Sequence, residues 1–131
     1  MSPIKVLLVD DERPFTDTLS KVLRRRGYEV DVAIDGESAL RAVRARKFDV
    51  VVLDVKMPGK DGIQVLGEIK EHDTSVEVIL LTGHVSLSEE ALGLKTGAFA
   101  YLLKPHPVPD LVERIEAAAA RSRASGRSSK S

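Results

Sequence analysis

The 131-residue sequence contains no cysteine and no tryptophan, and aromatic residues make up only 4% of it. Without cysteine the chain has no disulfide framework, no thiolate nucleophile and no cysteine-based zinc site. No apolar run approaches the roughly 20 residues that span a bilayer. Residues 1–4 lead directly into a predicted strand, without a secretory hydrophobic region. We therefore expect a soluble cytoplasmic protein that contacts no membrane and carries out no redox chemistry.

The sequence also lacks an overall excess of charge, because 20 basic residues balance 20 acidic ones. The bases are concentrated at one end: residues 121–131 contain four bases and no acid, so residues 1–120 hold 16 bases and 20 acids. A nucleic-acid-binding domain usually shows the opposite balance on its folded face. We expect no direct binding of nucleic acid by this segment. The arginines at 24–26 lie at the predicted end of a helix that stops before Gly27. Positive charges interact favourably with the helix dipole at that end, so we interpret these arginines as structural.

Hydrophobic patterns along the chain alternate between the period of strands and the period of helices. Apolar runs at 4–9, 48–53, 76–81 and 100–103, and an alternating run at 28–33, indicate five strands. Helical patterns follow these strands and begin near Pro14, at 35–37, at 62, at 86 and near Pro109. Continuous apolar strands are typical of a parallel sheet that is covered on both faces. The pattern predicts a doubly wound α/β domain.

The chain length and the last ten residues set the predicted domain limits. With 43% hydrophobic residues, 131 residues are enough for one domain with a substantial core and too few for two ordinary ones. We assign residues 1–121 to this domain. Residues 122–131 are rich in serine and arginine and offer no apolar anchor. They predict a disordered tail or the start of a truncated linker.

Five polar residues follow apolar runs at the predicted strand ends, namely Asp10, Asp11, Asp54, Thr82 and Lys104. Ligands of open α/β sheets bind beyond the carboxyl ends of the strands, so we expect a site there. If strands one and three are neighbours, Asp10 and Asp11 lie close to Asp54. Each residue alone also fits a structural role, as a helix-start acid, a turn residue, a cap or a surface lysine. Their shared placement is what favours a functional site.

Three neighbouring carboxylates require nearby positive charge. Two like charges about 4 Å apart repel by on the order of 4 kcal/mol at an effective dielectric constant near 20. Lys104 supplies one positive charge, and oxygen ligands without histidine or cysteine favour Mg²⁺ or Mn²⁺ for the remainder. Mg²⁺ often completes its shell with phosphoryl oxygens, and an aspartate beside it can act as a nucleophile that forms an acyl phosphate. The Thr82 hydroxyl can then donate to a phosphoryl oxygen.

The combined motifs resemble the receiver domain of two-component response regulators. The resemblance covers about residues 4–120 and is carried by Asp10-Asp11, by VLDVKMPGKDG at 52–62, by LTG at 81–83 and by GAFAYLLKP at 97–105. It implies a flavodoxin-like (βα)₅ fold with strand order 2-1-3-4-5, in which strands one and three are neighbours. It also implies that the Lys104–Pro105 peptide bond is a candidate for the cis form.

The resemblance further implies a phosphoryl-accepting metal site. Asp54 would accept a phosphoryl group from a phosphohistidine on a sensor histidine kinase or phosphotransfer protein. Asp10, Asp11, Asp54 and the backbone carbonyl of Lys56 would bind Mg²⁺, with Mn²⁺ as an alternative. The protein would catalyse only its own phosphorylation and dephosphorylation, so we do not expect an enzyme that acts on other substrates.

Further positions receive roles around this site through the same resemblance. Lys104 and Thr82 would contact the phosphoryl group. Thr82 and Tyr101 would act together as a switch that alters the surface formed by helix four, strand five and helix five. Lys56 and His84, each two residues beyond a site residue, would tune the rate of phosphoryl loss. The resemblance assigns no direction to that tuning.

We therefore predict a phosphorylation-controlled switch that a downstream partner or effector domain reads, with transcription regulation and a homodimer among the expected outcomes. Gly93 lies within the fourth helix, and glycine weakens a helix by about 1 kcal/mol relative to alanine. We interpret it as allowing that helix to shift. Two alternatives are a Mg²⁺-dependent phosphohydrolase with an aspartyl nucleophile and an interaction module of the same fold that is not phosphorylated. The sequence offers no cap domain and no evident general acid for the hydrolase.

Overall fold

Five strands alternate with five helices in the part of the chain that the structure describes, as the hydrophobic patterns predict. The computed structural model describes residues 2–57, 59, 61–83 and 87–128, and for residues 87–89 and 126–128 it describes the backbone only. The elements in chain order are β1 (Lys5–Val9), α1 (Arg13–Arg25), β2 (Glu29–Ala33), α2 (Gly36–Ala45), β3 (Val50–Asp54), α3 (Gly62–His72), β4 (Glu77–Thr82), α4 (Leu87–Thr96), β5 (Ala100–Leu103) and α5 (Val108–Ser128).

Capping and turn residues explain where several helices begin and end. Pro14 lies in the first turn of α1, where its missing N–H is not needed. Gly27 follows that helix with a φ of 89°, a conformation that favours glycine. Asp35 caps α2 by accepting a hydrogen bond of 2.8 Å from the Ser38 N–H. Asp61 caps α3 in the same way. The helix start predicted at residue 86 lies outside the described residues.

The five strands form one parallel sheet in the order β2-β1-β3-β4-β5, so the predicted flavodoxin-like (βα)₅ fold is confirmed. The chain moves from β1 outward to β2 and then crosses back to β3. The carboxyl ends of β1 and β3 are therefore adjacent at the point where the strand order reverses, which is where ligands of this architecture bind. Asp10 directly follows β1, and Asp54 is the last residue of β3. The topology brings both to the same edge of the sheet.

Two hydrophobic clusters cover the two faces of the sheet. One packs the sheet against α1 and α5, and the other packs it against α2 and α3. Alternate residues of β3 enter the two clusters: Val52 faces α1 and α5, whereas Val51 and Leu53 face the other side. Every residue of β3 is buried. Burial on both faces explains why this strand is continuously apolar rather than alternating.

The last helix continues past the predicted end of the domain. Residues 122–128, predicted as a disordered tail, belong to α5 in the structure. Ser122 is buried, and the Arg123 guanidinium donates to the Pro3 carbonyl at 2.7 Å and approaches Asp49 Oδ2 at 3.2 Å. These long-range contacts stabilise a segment that has no apolar anchor of its own, and the preceding alanines favour helix. The domain limit at residue 121 stays a prediction.

Among the described residues, no helix combines the length and the hydrophobicity that crossing a membrane requires.

Candidate functional site

Asp54 is a buried carboxylate at the carboxyl end of β3, with 5% of its surface exposed. Its Oδ1 accepts a hydrogen bond of 3.0 Å from the Lys56 N–H, and its Oδ2 lies 3.7 Å from Lys104 Nζ. Burial raises the pKa of Asp54 above its ordinary value. The Lys56 N–H and the Lys104 charge lower the pKa of Asp54, but they do not offset burial combined with the charges of Asp10 and Asp11. The ionised form of Asp54 therefore benefits from additional positive charge.

Asp10 uses both of its carboxylate oxygens in this structure. It is 3% exposed, and its N–H donates to the Ala33 carbonyl of β2 at 3.0 Å, which fixes the backbone at the end of β1. Oδ1 accepts from the Glu12 N–H at 2.9 Å, and Oδ2 lies 2.6 Å from Lys104 Nζ. Asp10 is thus the most completely engaged acid of the site.

Lys104 follows β5 and reaches across the carboxyl edge of the sheet towards α1. Its backbone N–H donates to the Thr82 carbonyl at 2.7 Å. Its Nζ lies 2.6 Å from Asp10 Oδ2, 2.6 Å from Glu12 Oε1 and 4.9 Å from the centre of the Phe15 ring. Burial alone would lower the pKa of Lys104, but the hydrogen bonds to Asp10 and Glu12, together with the charges of Asp10 and Asp54, outweigh burial and raise it. Lys104 is therefore a firmly protonated counter-charge for the acids.

The structure brings together Asp10, Asp54 and Glu12, whose carboxylate oxygens lie within 4.8 Å of one another. Three negatively charged carboxylate oxygens are suitable ligands for a hard divalent cation. Glu12 was not among the predicted site residues, although its position directly after the Asp10-Asp11 pair was a signal that could have identified it. Asp11 is exposed and does not belong to this group of three, but its charge acts on Asp54. Its role as a ligand stays a prediction.

The two predicted switch residues lie on the strands that border the site. Thr82 ends β4 and is completely buried, and it is paired in register with Leu103 of β5. Tyr101 is buried on β5, where its ring lies close to Gly93 of α4. The predicted cis form of the peptide bond that follows Lys104 is confirmed. Lys56 is exposed, and its carbonyl as a metal ligand stays a prediction. His84 lies outside the described residues.

A parallel five-stranded sheet of this order, with a buried aspartate at the end of β3, an acid after β1 and a lysine after β5, defines the class of receiver domains. A model of the response regulator receiver domain family matches residues 6–116. The chain belongs to this family. The match spans the sheet apart from Lys5, all the site residues named above and the first nine residues of α5.

A curated relative and two solved structures show what the chain is similar to. The transcriptional regulatory protein PrrA of Mycobacterium leprae is 38% identical over 129 residues, which cover 98% of this chain and 55% of that protein. The chain spans about half the length of the curated relatives it matches. A CheY-like receiver domain protein from Methanospirillum hungatei is 28% identical with a TM-score of 0.91, covering 95% of this chain and 99% of that one.

The second structure is a response regulator protein from Burkholderia pseudomallei. It is 28% identical with a TM-score of 0.82 and covers 94% of this chain and 72% of that one. That protein was crystallised with a phosphorylated aspartic acid, a calcium ion and citrate.

Proposed function

We propose that this receiver domain is a phosphorylation-controlled switch and that Asp54 accepts the phosphoryl group from a phosphohistidine on a sensor histidine kinase or phosphotransfer protein. An Asp54 oxygen would form a bond to phosphorus while the bond between phosphorus and the histidine nitrogen breaks, and the electron pair of that bond returns to the imidazole. The observation that carries this proposal is the pairing of a buried Asp54 carboxylate with the Lys104 ammonium at 3.7 Å. This cation can neutralise charge on the transferring group.

We propose Mg²⁺ as the cation of the site, with Mn²⁺ as a substitute. Asp10 and Asp54 would hold it, together with Asp11 and the Lys56 carbonyl. When bound, the ion neutralises negative charge on the transferring phosphoryl group. The convergent oxygens of Asp10 and Asp54 support this assignment, and their donor chemistry suits a hard cation. The calcium ion and the phosphorylated aspartic acid of the Burkholderia pseudomallei protein support it by likeness.

The proposed output is the surface formed by α4, β5 and α5. The Thr82 hydroxyl would respond to the phosphoryl group and Tyr101 would follow, while Lys56 and His84 would set the phosphoryl lifetime. Three large apolar side chains on α4 and β5 are about half exposed, which supports a partner surface there: Leu92, Leu94 and Leu103. PrrA of Mycobacterium leprae is a transcriptional regulatory protein, so we propose an effector domain or a second copy as the reader of this surface. A cytoplasmic location is part of the same proposal.

Intact-mass measurement after incubation with acetyl phosphate and Mg²⁺ tests the proposal. We expect the mass of one phosphoryl group to be added to the wild-type chain and to Asp17→Asn, whose exposed acid lies on α1 away from the site. Asp54→Asn should gain none. A wild-type chain that gains no mass, or an Asp54→Asn variant that still gains it, would overturn the assignment. Rapid continuous release of phosphate from simple phosphate esters would indicate the hydrolase instead.

A further inference from the structure

Three carboxylates share the Lys104 ammonium, but they share it unequally. Nζ lies 2.6 Å from Asp10 Oδ2 and 2.6 Å from Glu12 Oε1, whereas Asp54 Oδ2 lies at 3.7 Å. The Lys104 side chain is 13% exposed, while that of Glu12 is 62% exposed. Glu12 therefore reaches from the solvent side to the rim of the site and holds Lys104 on the side of α1.

The local structure of Glu12 shows that its side chain does not serve the helix. Glu12 occupies the N-cap position of α1, with φ −85° and ψ 95°, and its side chain makes no capping hydrogen bond. Serine, threonine, aspartate and asparagine are the residues favoured at that position. The Glu12 carboxylate points to Lys104 instead of to the first backbone N–H groups of α1. Its contact with Lys104 is thus independent of helix capping.

Cation binding at Asp10 requires a rearrangement of these contacts. Oδ1 of Asp10 is engaged by the Glu12 N–H, and Oδ2 is engaged by Lys104. An ammonium at 2.6 Å and a divalent ion on the same oxygen would repel each other strongly. Lys104 must therefore release Oδ2 when a cation takes it. The 2.6 Å ion pair with Glu12 then remains, whereas without Glu12 the ammonium would keep only the longer contact to Asp54 at 3.7 Å among the ion pairs described.

We propose that Glu12 is a positioning residue for Lys104: it retains the ammonium at the α1 side of the site and thereby frees Asp10 and Asp54 for a divalent cation. This inference rests on the function proposed above, and it makes Glu12 a residue that raises the metal affinity of the site. In Glu12→Gln the ammonium depends on Asp10 and Asp54 alone, so it competes more strongly with the cation. We therefore expect Glu12→Gln to weaken cation binding. If Glu12 instead helped Lys104 to exclude the metal, the same substitution would strengthen cation binding.

The test measures the dissociation constant for Mg²⁺ alone by NMR titration of backbone amide shifts. We expect Glu12→Gln to raise the constant by about threefold or more, the range that partly exposed ion pairs supply. Asp17→Asn removes an exposed charge from the same helix and should change the constant by less than about twofold. In a Lys104→Met background, Glu12→Gln should have little further effect, because the residue through which Glu12 acts is gone.

Tighter Mg²⁺ binding in Glu12→Gln would overturn the inference on its own, even if Lys104→Met folded poorly. An equal effect of Glu12→Gln in both backgrounds would also overturn it, since Glu12 would then act as a ligand or as a simple charge. A metal-free readout is available as well: denaturation of the two single variants and the double variant should show a coupling between Glu12 and Lys104. Phosphorylation of wild-type Asp54 is measured separately, so unchanged Mg²⁺ affinity in Glu12→Gln would refute the role of Glu12 and leave the proposed function standing.

Discussion

The Lys104 ammonium lies 2.6 Å from Asp10 Oδ2, and both side chains are almost removed from solvent. This ion pair links the carboxyl ends of the first and last strands, since Asp10 follows β1 and Lys104 follows β5. It also places a fixed positive charge next to Asp54, the proposed phosphoryl acceptor. The stability of the metal-free protein and its proposed affinity for a cation therefore depend on the same contact.

Lys104→Met should lower the free energy of unfolding by about 2–3 kcal/mol at neutral pH in metal-free buffer. The substitution leaves Asp10 and Asp54 buried without their counter-charge, and breaking a buried pair by removing one partner is strongly destabilising. Urea denaturation monitored by circular dichroism measures the loss. Lys95→Met removes an exposed lysine from α4 and is the matched control. A loss below about 0.5 kcal/mol for Lys104→Met would show that the pair contributes little to stability.

Mg²⁺ should raise the melting temperature by mass action, because it binds the folded chain better than the unfolded one. At ten times its dissociation constant the stabilisation is about 1.4 kcal/mol, or roughly 3–5 °C for a domain of this size. Asp10→Asn should abolish the rise, and Asp11→Ala should reduce it if the exposed acid is a ligand as proposed. Thermal scans with and without Mg²⁺ decide this. A wild-type melting temperature that millimolar Mg²⁺ leaves unchanged speaks against the metal site.

Asp54→Asn should stabilise the metal-free protein at pH 7. Burial raises the pKa of Asp54 above its ordinary value of 3.8, so the folded chain binds this proton more tightly than the unfolded chain. The free energy of unfolding then falls as the pH rises from the pKa of Asp54 in the unfolded chain towards its pKa in the folded chain. Above that range the ionised carboxylate continues to destabilise the fold. The gain in the variant should shrink as the pH is lowered towards 3.8. Denaturation across this pH range measures the effect, with Asp17→Asn as the control. An Asp54→Asn variant that is less stable than wild type at pH 7 would contradict the prediction.

Gly62→Ala should destabilise the domain by about 1–3 kcal/mol and disturb the loop that carries Lys56. A Cβ at Gly62 would lie 2.6 Å from Val55 Cα and 3.0 Å from the Asp54 carbonyl oxygen, and these backbone atoms cannot move without displacing the end of β3. Gly67 provides a matched control on the same helix, because a Cβ there meets only a Thr96 methyl at 3.7 Å. Gly67→Ala should be neutral or stabilising by up to about 1 kcal/mol. Equal stabilities for the two variants in urea denaturation would refute the packing explanation.

Truncation after residue 121 should cost about 1–2 kcal/mol of stability. It removes buried Ser122 and the charge-assisted hydrogen bonds from the Arg123 guanidinium to the Asp49 carboxylate and to the Pro3 carbonyl, the latter at 2.7 Å. Truncation after residue 125 keeps these groups and serves as the control. Equal melting temperatures for the two truncated chains would support the boundary predicted from the sequence.

Most of the fold could be predicted because the signals are local. Runs of apolar residues mark strands that are buried on both faces, and Pro14, Gly27 and Asp35 mark helix ends through backbone geometry and hydrogen bonding. The same logic located the candidate site, since polar residues after parallel strands must gather at one edge. The last turns of α5 were missed, because they are stabilised by Arg123 contacting residues that are more than 70 positions away in the chain.

Gly93 has a role in packing that helix propensity alone does not indicate. Its low helix propensity predicted a helix that shifts easily. In the structure, a Cβ at this position would lie 2.7 Å from Leu80 Cδ1 and 3.5 Å from Tyr101 Cδ2. The missing side chain therefore also allows α4 to pack closely on the sheet beside Tyr101. That packing depends on how two distant segments approach each other, which propensity does not describe.

The sequence by itself determined the alternation of strands and helices, the placement of acids and Lys104 at strand ends, and the need for a cation among those acids. Each of these follows from periodicity or from charge counting. Only the tertiary structure decided which oxygens converge: Glu12 turns from its own helix to Lys104, while Asp11 remains exposed. The backbone direction at the end of β1 and the reach of a lysine from β5 set that outcome. Asp11 and Glu12 are neighbours in the sequence and carry the same charge, so only the direction of each side chain in the fold separates their roles.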